Sequence, residues 1–389
     1  MRDGKRNRAG RLITWTSLLV CTSVAWVVGI GPAGQQRAGP LEREYVVYVV
    51  SEAADKITRL RFDPSGGKVE RELSTGIMPT DPDGPHGLVV SPNRQFYYVT
   101  LGHGQPFGWV LKYSVRDDRV LGQTMLGAFP ASMDLTPDGN LLFIVNFNLH
   151  GDMVPSSVSV VATDEMLEVK RIPTCTMPHG SRVNSLGTAH YSACMMDDLL
   201  VEIDTRSLRV SRHFLLTAGH EVGRVGPPQP AEDHKTHGDR PGACSPTWAQ
   251  PSVDGTSVFV ACNQSNEIVE VDARTWKLRR RIAAGPGVYN LTITRNGRLL
   301  ASNKRGQSVS VFDLASGREL ALVQTARSVV HGVVATSDGR YAFVSVEGIG
   351  SEPGAVEMID LNAFKTVARI DIAPQAAGLD LFQIDETRN

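Results

Sequence analysis

From about residue 40 onward, the chain alternates between short apolar runs and tight polar turns. In a representative stretch, the runs 331–335, 341–346, 355–360 and 366–370 are rich in Val, Ile, Ala, Phe and Tyr, and residues such as Gly, Asp, Ser and Asn separate them. β-Branched and aromatic residues bounded in this way are typical of strands joined by turns. No long amphipathic helix is evident after residue 40. The pattern therefore predicts an all-β protein built from units of four short strands.

The units share a common register, which a recurring His-Gly pair makes visible. His86, His179 and His331 each open an apolar run, and a turn residue follows eight positions later, at 94, 187 and 339. The same offset, counted back from other turn glycines, marks 131, 247 and 289, and the run at 377 matches the run at 331. Most units are thus 40–50 residues long, and a repeat of this length made of short strands is the signature of a β-propeller, with one blade per repeat.

Six units are complete, and the seventh is divided between the two ends of the chain. Residues 377–384 supply only one strand, and the segments 44–50, 57–62 and 68–73 supply the other three. Joining these strands in one blade closes the ring and leaves no free sheet edge. The sequence therefore predicts one seven-bladed β-propeller with four-stranded blades over residues 41–385, closed by N- and C-terminal strands that share one blade.

Three turn-and-strand motifs carry a family resemblance. They are Ser-Pro-Asn at 91–93 with Tyr-Tyr-Val-Thr-Leu at 97–101, Thr-Pro-Asp-Gly at 136–139 with Leu-Phe-Ile-Val-Asn at 142–146, and Ser-Asp-Gly-Arg at 337–340 with Tyr-Ala-Phe-Val-Ser at 341–345. They resemble the YVTN-type, YncE-like seven-bladed propellers, although the family's Asn after Val-Thr is Leu101 here. The resemblance implies the fold. It leaves function open, because the family includes binding and scaffold proteins and, more distantly, dehydrogenase subunits such as the methylamine dehydrogenase heavy subunit.

Residues 1–34 have the pattern of a signal peptide or a membrane anchor. Five basic residues and one acidic residue precede the uncharged apolar stretch 12–31, and small residues follow it. An uncleaved stretch of this length can span a bilayer. We therefore expect a periplasmic or secreted protein, attached to a membrane only if residues 12–31 are retained. Loss of the segment takes the formal charge from −1 to about −5, and no basic stripe remains, which argues against a nucleic-acid partner.

Four cysteines follow this segment, namely Cys175, Cys194, Cys244 and Cys262. An exported location permits disulfides. Cys194 and Cys262 fall in the second strands of successive blades, and facing sheets lie about 10 Å apart, farther than a disulfide reaches without local closeness. Cys175 and Cys244 fall at successive blade corners, where mobile loops make a bridge easier. Buried free thiols are the other expectation, and the pairing stays open at this point.

Histidines are concentrated at one rim of the predicted ring. Inner strands begin at this rim. The loops between second and third strands lie there too, as does the long polar insertion at 217–243. Eight of the ten histidines map to this rim: His86, His103, His150, His179, His220, His234, His237 and His331.

The three register histidines lie in blades 2, 4 and 7, an almost trigonal arrangement around the channel. Because imidazole suits copper, zinc and iron, we expect a transition metal or small ligand to bind there. The ligand histidines would be His86, His179 and His331, with His103, His150, His234 and His237 as candidates for additional ligands, while Thr247 and Tyr289 would line the channel mouth. Acids on the rim, Glu347 among them, would orient the imidazoles. The alternative is structural, with each histidine bonded to a neighbouring blade and the next glycine letting strands crowd at the axis.

Familiar catalytic motifs are absent: the chain has no Gly-x-Ser-x-Gly elbow, phosphate loop, His-Glu-x-x-His or haem attachment sequence. We therefore expect an exported binding protein with a His-rich rim. One alternative is a metal-free scaffold for a periplasmic protein partner, and another is a metal-dependent periplasmic oxidoreductase or lyase. Metal content separates the first two hypotheses, and turnover identifies the third.

Overall fold

The computed structural model describes residues 44–63, 66–76, 83–103, 107–229 and 241–384. In these residues, strands form seven antiparallel sheets, and one short 3-10 helix covers Glu52–Ala54. The first three blades have the following strands. Blade 1 contains β1 (Glu44–Ser51), β2 (Lys56–Asp63) and β3 (Gly66–Ser74). Blade 2 contains β4 (Pro85–Val90), β5 (Phe96–Leu101), β6 (Trp109–Ser114) and β7 (Val120–Met125). Blade 3 contains β8 (Pro130–Leu135), β9 (Leu141–Asn146), β10 (Pro155–Ala162) and β11 (Leu167–Thr176).

The remaining blades follow the same order from the axis outward. Blade 4 contains β12 (Pro178–Val183), β13 (Ala189–Cys194), β14 (Leu199–Asp204), β15 (Arg209–Leu215) and β16 (Val222–Val225), and blade 5 contains β17 (Pro246–Pro251), β18 (Ser257–Cys262), β19 (Glu267–Asp272) and β20 (Lys277–Ala283). Blade 6 contains β21 (Val288–Ile293), β22 (Arg298–Asn303), β23 (Ser308–Asp313) and β24 (Glu319–Gln324), and blade 7 contains β25 (Val330–Ala335), β26 (Tyr341–Val346), β27 (Gly354–Asp360) and β28 (Lys365–Ile372). The last strand, β29 (Ala376–Ile384), returns to blade 1.

The ring closes as the sequence predicts. β29 pairs antiparallel with β1, so that Glu44 faces Ile384 and Val47 faces Leu381. Each inner strand also contacts the inner strands of both neighbouring blades, and the contacts run from β29 through β4, β8, β12, β17, β21 and β25 back to β29. The prediction of a seven-bladed propeller closed by its two ends is therefore confirmed.

The core consists of one apolar cluster at each of the seven blade interfaces. The second strands of the blades are buried almost without interruption, as in β1, β5, β9 and β26, because both faces of a blade pack against neighbouring blades. The turn residue eight positions after each register position adopts a left-handed conformation in every complete unit: Arg94 at φ 60°, Gly139 at 76°, Gly187 at 70°, Gly255 at 70°, Gly297 at 82° and Gly339 at 66°. This conformation explains why glycine dominates the position from which the repeat was measured.

The insertion at 217–243 is not only a loop. Its residues 222–225 form β16, which pairs with β15 and adds a fifth strand to blade 4. All four residues of β16 are exposed, so no apolar run marked this strand in the sequence. Residues 1–34, along with His234 and His237, lie outside the described part of the chain. In the part that is described, no helix has the length and apolar character needed to span a membrane.

The four cysteines form two disulfides, and neither is one of the two bridges considered from the sequence. Cys175 bonds to Cys194 and Cys244 bonds to Cys262, with Cα separations of 6.0 Å and 4.5 Å. The reason is the antiparallel register of the first two strands of a blade, which places Pro178 opposite Cys194 and Pro246 opposite Cys262. Each cysteine just before an inner strand therefore lies beside the end of the second strand that pairs with that inner strand. Neither the 194–262 bridge nor the 175–244 bridge forms, and none of the four cysteines is a free thiol.

Candidate functional site

Four aromatic rings meet at one end of the channel, where the inner strands begin. They belong to His86 on β4, His179 on β12, Tyr289 on β21 and His331 on β25. Ring centroids are separated by 6.3 Å between His86 and His179 and by 5.2 Å between His179 and Tyr289. The cycle closes with 4.9 Å between Tyr289 and His331 and 5.6 Å between His331 and His86. The structure therefore brings the three register histidines together and places Tyr289 between two of them.

Glycine follows each of these histidines because the inner strands crowd at this point. A Cβ on Gly87 would lie 2.2 Å from the carbonyl oxygen of Ala131, and a Cβ on Gly180 would lie 2.2 Å from that of Thr247. Any side chain here would push neighbouring blades apart, whereas glycine allows the close approach. The glycines thus set the distance between blades that brings the histidine rings into contact.

Each imidazole in the cluster has a different set of partners. The Nδ1 atom of His86 lies 2.8 Å from a carboxylate oxygen of Glu52. The Nδ1–H of His179 donates to the backbone carbonyl of Thr247 at 2.8 Å, which leaves its Nε2 to accept from the Tyr289 hydroxyl, also at 2.8 Å. His331 differs, because its Nδ1 is buried without any hydrogen-bond partner among the described residues. The cluster therefore contains one buried imidazole nitrogen, Nδ1 of His331, that has no hydrogen-bond partner among the described residues.

Burial keeps two of the imidazoles neutral. It lowers the pKa of His179 to about 3, and the neighbouring His86 acts in the same direction. Burial also lowers the pKa of His331 well below its ordinary value, helped by the positive charge of Lys304. A neutral imidazole has a lone pair that can bind a metal or accept a hydrogen bond. At neutral pH, protons therefore do not compete with a ligand for these two side chains.

Glu52 joins the central cluster to the rim. It lies in the 3-10 helix after β1, and its second carboxylate oxygen accepts from Nε2–H of His103 at 2.7 Å. Burial alone would raise the pKa of Glu52, but His86 and His103 together hold it below the ordinary value of 4.5. The hydrogen bond to Glu52 in turn raises the pKa of His103. Glu52 is thus a buried anion whose two oxygens fix two imidazoles.

A second ion pair lies on the other side of the cluster. The Lys304 ammonium group donates to Glu347 at 2.7 Å and lies 4.4 Å from the centre of the Tyr289 ring. Burial opposes the charge of Lys304, but Tyr289 and Glu347 outweigh it and raise the pKa of this lysine. Glu347 also lies 3.9 Å from Nε2 of His331. Glu347 was among the acids expected at this rim, whereas Glu52 and Lys304 were not singled out from the sequence.

Two of the other predicted rim histidines, His103 and His150, lie beside the cluster. Phe129 packs against His86, His103 and His150, with ring centroids 5.3, 5.1 and 5.5 Å away. His150 lies 5.2 Å from His103 but makes no ring contact with the three central histidines in the described residues. Thr247 contributes its backbone carbonyl rather than its hydroxyl, which donates to the carbonyl of Tyr289 at 2.8 Å.

Two features of this cluster are ones that metal-binding imidazoles share. Two of the imidazoles are held through Nδ1 by an oxygen acceptor, as metal-binding imidazoles usually are, and the third has an unpaired ring nitrogen. The arrangement is not yet a coordination set, since within the described ranges no three His, Cys, Asp or Glu side chains are placed to hold one ion. The Tyr289 hydroxyl also donates a hydrogen bond to Nε2 of His179, so metal binding at that nitrogen would require the hydroxyl to move.

The fold is similar to that of two solved structures. A chain of hydrazine synthase from Kuenenia stuttgartiensis superimposes with a TM-score of 0.60 and 17% identity, covering 82% of this chain and 99% of that one. A functionally unknown protein from Desulfotomaculum acetoxidans superimposes with a TM-score of 0.62 and 14% identity, covering 87% and 99%. At these identities the similarity shows the fold alone. No family model matches the chain, and no curated protein matches it, so membership of the YVTN-type family stays a prediction.

Proposed function

We propose that this protein is an exported β-propeller that binds a transition-metal ion at the His-lined end of its channel. His86, His179 and His331 would hold the ion through ring nitrogens, with copper, zinc and iron as the candidates. The observation that supports the proposal most directly is the unpaired Nδ1 of His331, buried within ring contact of His86. An unpaired buried polar atom destabilises a fold by roughly 1–3 kcal/mol, and a bound ion would remove that cost.

Other groups around the rings would support the ion without touching it. Glu52 and the Thr247 carbonyl already hold Nδ1 of His86 and His179, which fixes the tautomer and orientation of each ring. Phe147, whose ring centroid lies 4.7 Å from that of His179, covers the site with apolar surface. When bound, a metal of this kind supplies a Lewis-acidic centre, or a redox centre in the case of copper or iron.

The two disulfides support the proposed location. Cys175–Cys194 and Cys244–Cys262 form in the described chain, and disulfides persist mainly in oxidising compartments such as the periplasm or the extracellular space. Export through the N-terminal segment and these bridges would be consistent with each other. The proposed site is therefore one that loads outside the cytoplasm.

Metal analysis of the protein tests the proposal. The full chain would be expressed in a host that exports it, purified without a metal-affinity tag, and compared with His86→Ala, His331→Ala and the exposed-site control His220→Ala. We expect about one equivalent of copper, zinc or iron in the wild type and the control, and at least a tenfold loss of affinity in the two site variants. Circular dichroism would verify that each variant is folded.

A folded wild-type protein that contains no metal, and takes up none on reconstitution with Cu²⁺, Zn²⁺ or Fe²⁺, would refute the proposal. The histidine cluster would then be a hydrogen-bonded part of the core, and the alternative of a metal-free scaffold for a protein partner would be preferred. A loaded protein that also turns over a substrate would instead support the oxidoreductase or lyase hypothesis.

A further inference from the structure

The channel contains a second group of polar side chains behind the histidine cluster. A cavity of about 30 Å³ is lined by His86, His179 and His331 and also by Arg182, Trp248 and Asn290. Arg182 follows His179 by three positions on β12, and Trp248 and Asn290 are the residues after Thr247 and Tyr289. The metal proposed above uses none of these three side chains. They therefore require a separate explanation.

Two of the three side chains have polar atoms without partners. Trp248 is 5% exposed and Asn290 is 4% exposed, yet the indole Nε1–H and the Asn290 Oδ1 make no hydrogen bond in the described chain. Native proteins pair nearly all buried polar atoms, so an unpaired donor lining a cavity indicates a partner inside the cavity, either water or a ligand. The Asn290 amide can present its NH₂ group to the same space, because its oxygen and nitrogen are interchangeable by rotation.

Arg182 supplies a positive charge beside these atoms. Its guanidinium stacks over the Trp248 ring at 4.5 Å, and its one hydrogen bond in the described residues is to the Ser181 carbonyl. Two partly buried acids lie within electrostatic range of it. Asp134 accepts the backbone N–H of Val183 and Leu135, and Asp380 accepts that of Val90 and Leu381: four bonds of 2.8–3.0 Å in all. Because backbone groups bind the carboxylates and neither forms an ion pair with Arg182, several guanidinium N–H groups stay free for another acceptor.

The position of the indole is fixed by the fold. A Cβ on Gly180 would lie 2.4 Å from Cε3 of Trp248, so the absence of a side chain at this position is what admits the ring. The indole in turn carries the guanidinium on its face. This arrangement holds a planar donor pair in place before any ligand arrives.

We propose that this cavity binds a small planar anion, a one-carbon carboxylate or an inorganic oxyanion of the same size. The Arg182 guanidinium and the Trp248 Nε1–H donate to its oxygens, and the Asn290 amide donates from the third side. At about 30 Å³, the cavity is of a size that suits an anion this small. None of its three donors is a proposed metal ligand, but His86, His179 and His331 line the same cavity, so the test separates anion binding from metal binding by chelation.

Binding of formate and nitrate tests this proposal. Each sodium salt would be titrated into the full chain, expressed with export, in chloride-free buffer after chelator treatment, and followed by calorimetry and by tryptophan fluorescence. Benzoate serves as the large-anion control. The variants are Arg182→Gln and Trp248→Phe, which keeps the ring and removes only the N–H. The matched controls are Trp276→Phe, whose indole N–H already donates to the His213 carbonyl, and the exposed Arg295→Gln.

We expect saturable binding of one formate or nitrate per chain in the wild type and in both controls, no binding of benzoate, and at least tenfold weaker binding in Arg182→Gln and Trp248→Phe. Equal affinity for the two anions would indicate recognition of planar shape, and a preference for formate would indicate a carboxylate ligand. The absence of saturable binding in the folded wild type would overturn the proposal. So would unchanged affinity in both site variants, or binding that disappears on chelation, since the anion would then bind the metal.

Discussion

Replacement of Glu52 by Gln is expected to lower the free energy of unfolding by about 2–3 kcal/mol. The Glu52 carboxylate, with its side chain 16% exposed, bonds to His86 at 2.8 Å and to His103 at 2.7 Å. An amide keeps only one acceptor oxygen, so one of the two bonds is lost, and a hydrogen bond to a charged group contributes roughly 1.5–3 kcal/mol. The amide NH₂ would then face an imidazole N–H, which adds to the loss.

Chemical unfolding measures this effect directly. The matched control is Glu72→Gln, because Glu72 pairs with Lys56 at 2.9 Å on the surface with both side chains 39% exposed, and such pairs contribute roughly 0–1 kcal/mol. For the roughly 320 residues that the structure describes, the entropy of unfolding is about 0.7 kcal/mol/K, so the loss in Glu52→Gln corresponds to a midpoint lower by about 3–4 °C. If the two variants lose the same free energy within about 0.5 kcal/mol, the reasoning fails.

The pH dependence of the same variant has a defined sign. The pKa of Glu52 is lowered in the folded protein, so its contribution is present above its ordinary value of 4.5 and is lost as pH falls through the folded value. The pKa of His103 is raised, so its contribution is present below its ordinary value of 6.5 and is lost as pH rises through the folded value. The difference in the free energy of unfolding between the wild type and Glu52→Gln should therefore be largest between about pH 5 and 6.5.

Two further predictions concern stability and ligand access. Cys244→Ser/Cys262→Ser removes a bridge between residues 18 positions apart and should lower the free energy of unfolding by about 3 kcal/mol. Chemical denaturation of this variant beside the wild type, both without reductant, measures the loss, and reduction of the wild type, which breaks both bridges, should cost more. Tyr289→Phe removes the hydroxyl that donates to Nε2 of His179. It should therefore lower stability by about 1–3 kcal/mol while leaving metal affinity equal or higher, and a parallel loss of both would contradict the proposed ligand role of His179.

Much of the fold could be predicted from the sequence because one backbone constraint repeats. The turn residue eight positions after each register position has positive φ, from Arg94 to Gly339, and glycine records that requirement in most units. The fifth strand of blade 4 had no such marker, since Val222–Val225 is exposed throughout. The disulfide pairing stayed open in the sequence because strand order was considered without register. The pairing of Pro178 with Cys194 follows from counting residues across the hairpin.

The candidate site was predictable in part. The register placed His86, His179 and His331 at one level, and their rings are in contact through His86. Glu52 and Lys304 occupy the same kind of loop as His103 and Glu347, between the second and third strands of a blade. Glu52 was not predicted as a site residue because its blade is divided between the two ends of the chain. The choice of partner for each ring nitrogen depends on side-chain geometry, which strand patterning does not encode.

The closure of blade 1 by β29 makes this site dependent on the order of events during biogenesis. Glu44 and Ile384 pair across nearly the whole chain, and contacts so distant in sequence form late because loop closure must come first. The backbone N–H of Glu52 donates to the carbonyl of Gln375, just before β29, at 3.0 Å. The Glu52 carboxylate, which orients His86 and His103, is thus fixed in position only after the C-terminal strand β29 has docked. A chain emerging from a translocon N-terminus first would complete its polypeptide before it completed its histidine cluster, and loading of any ligand would report that the ring has closed.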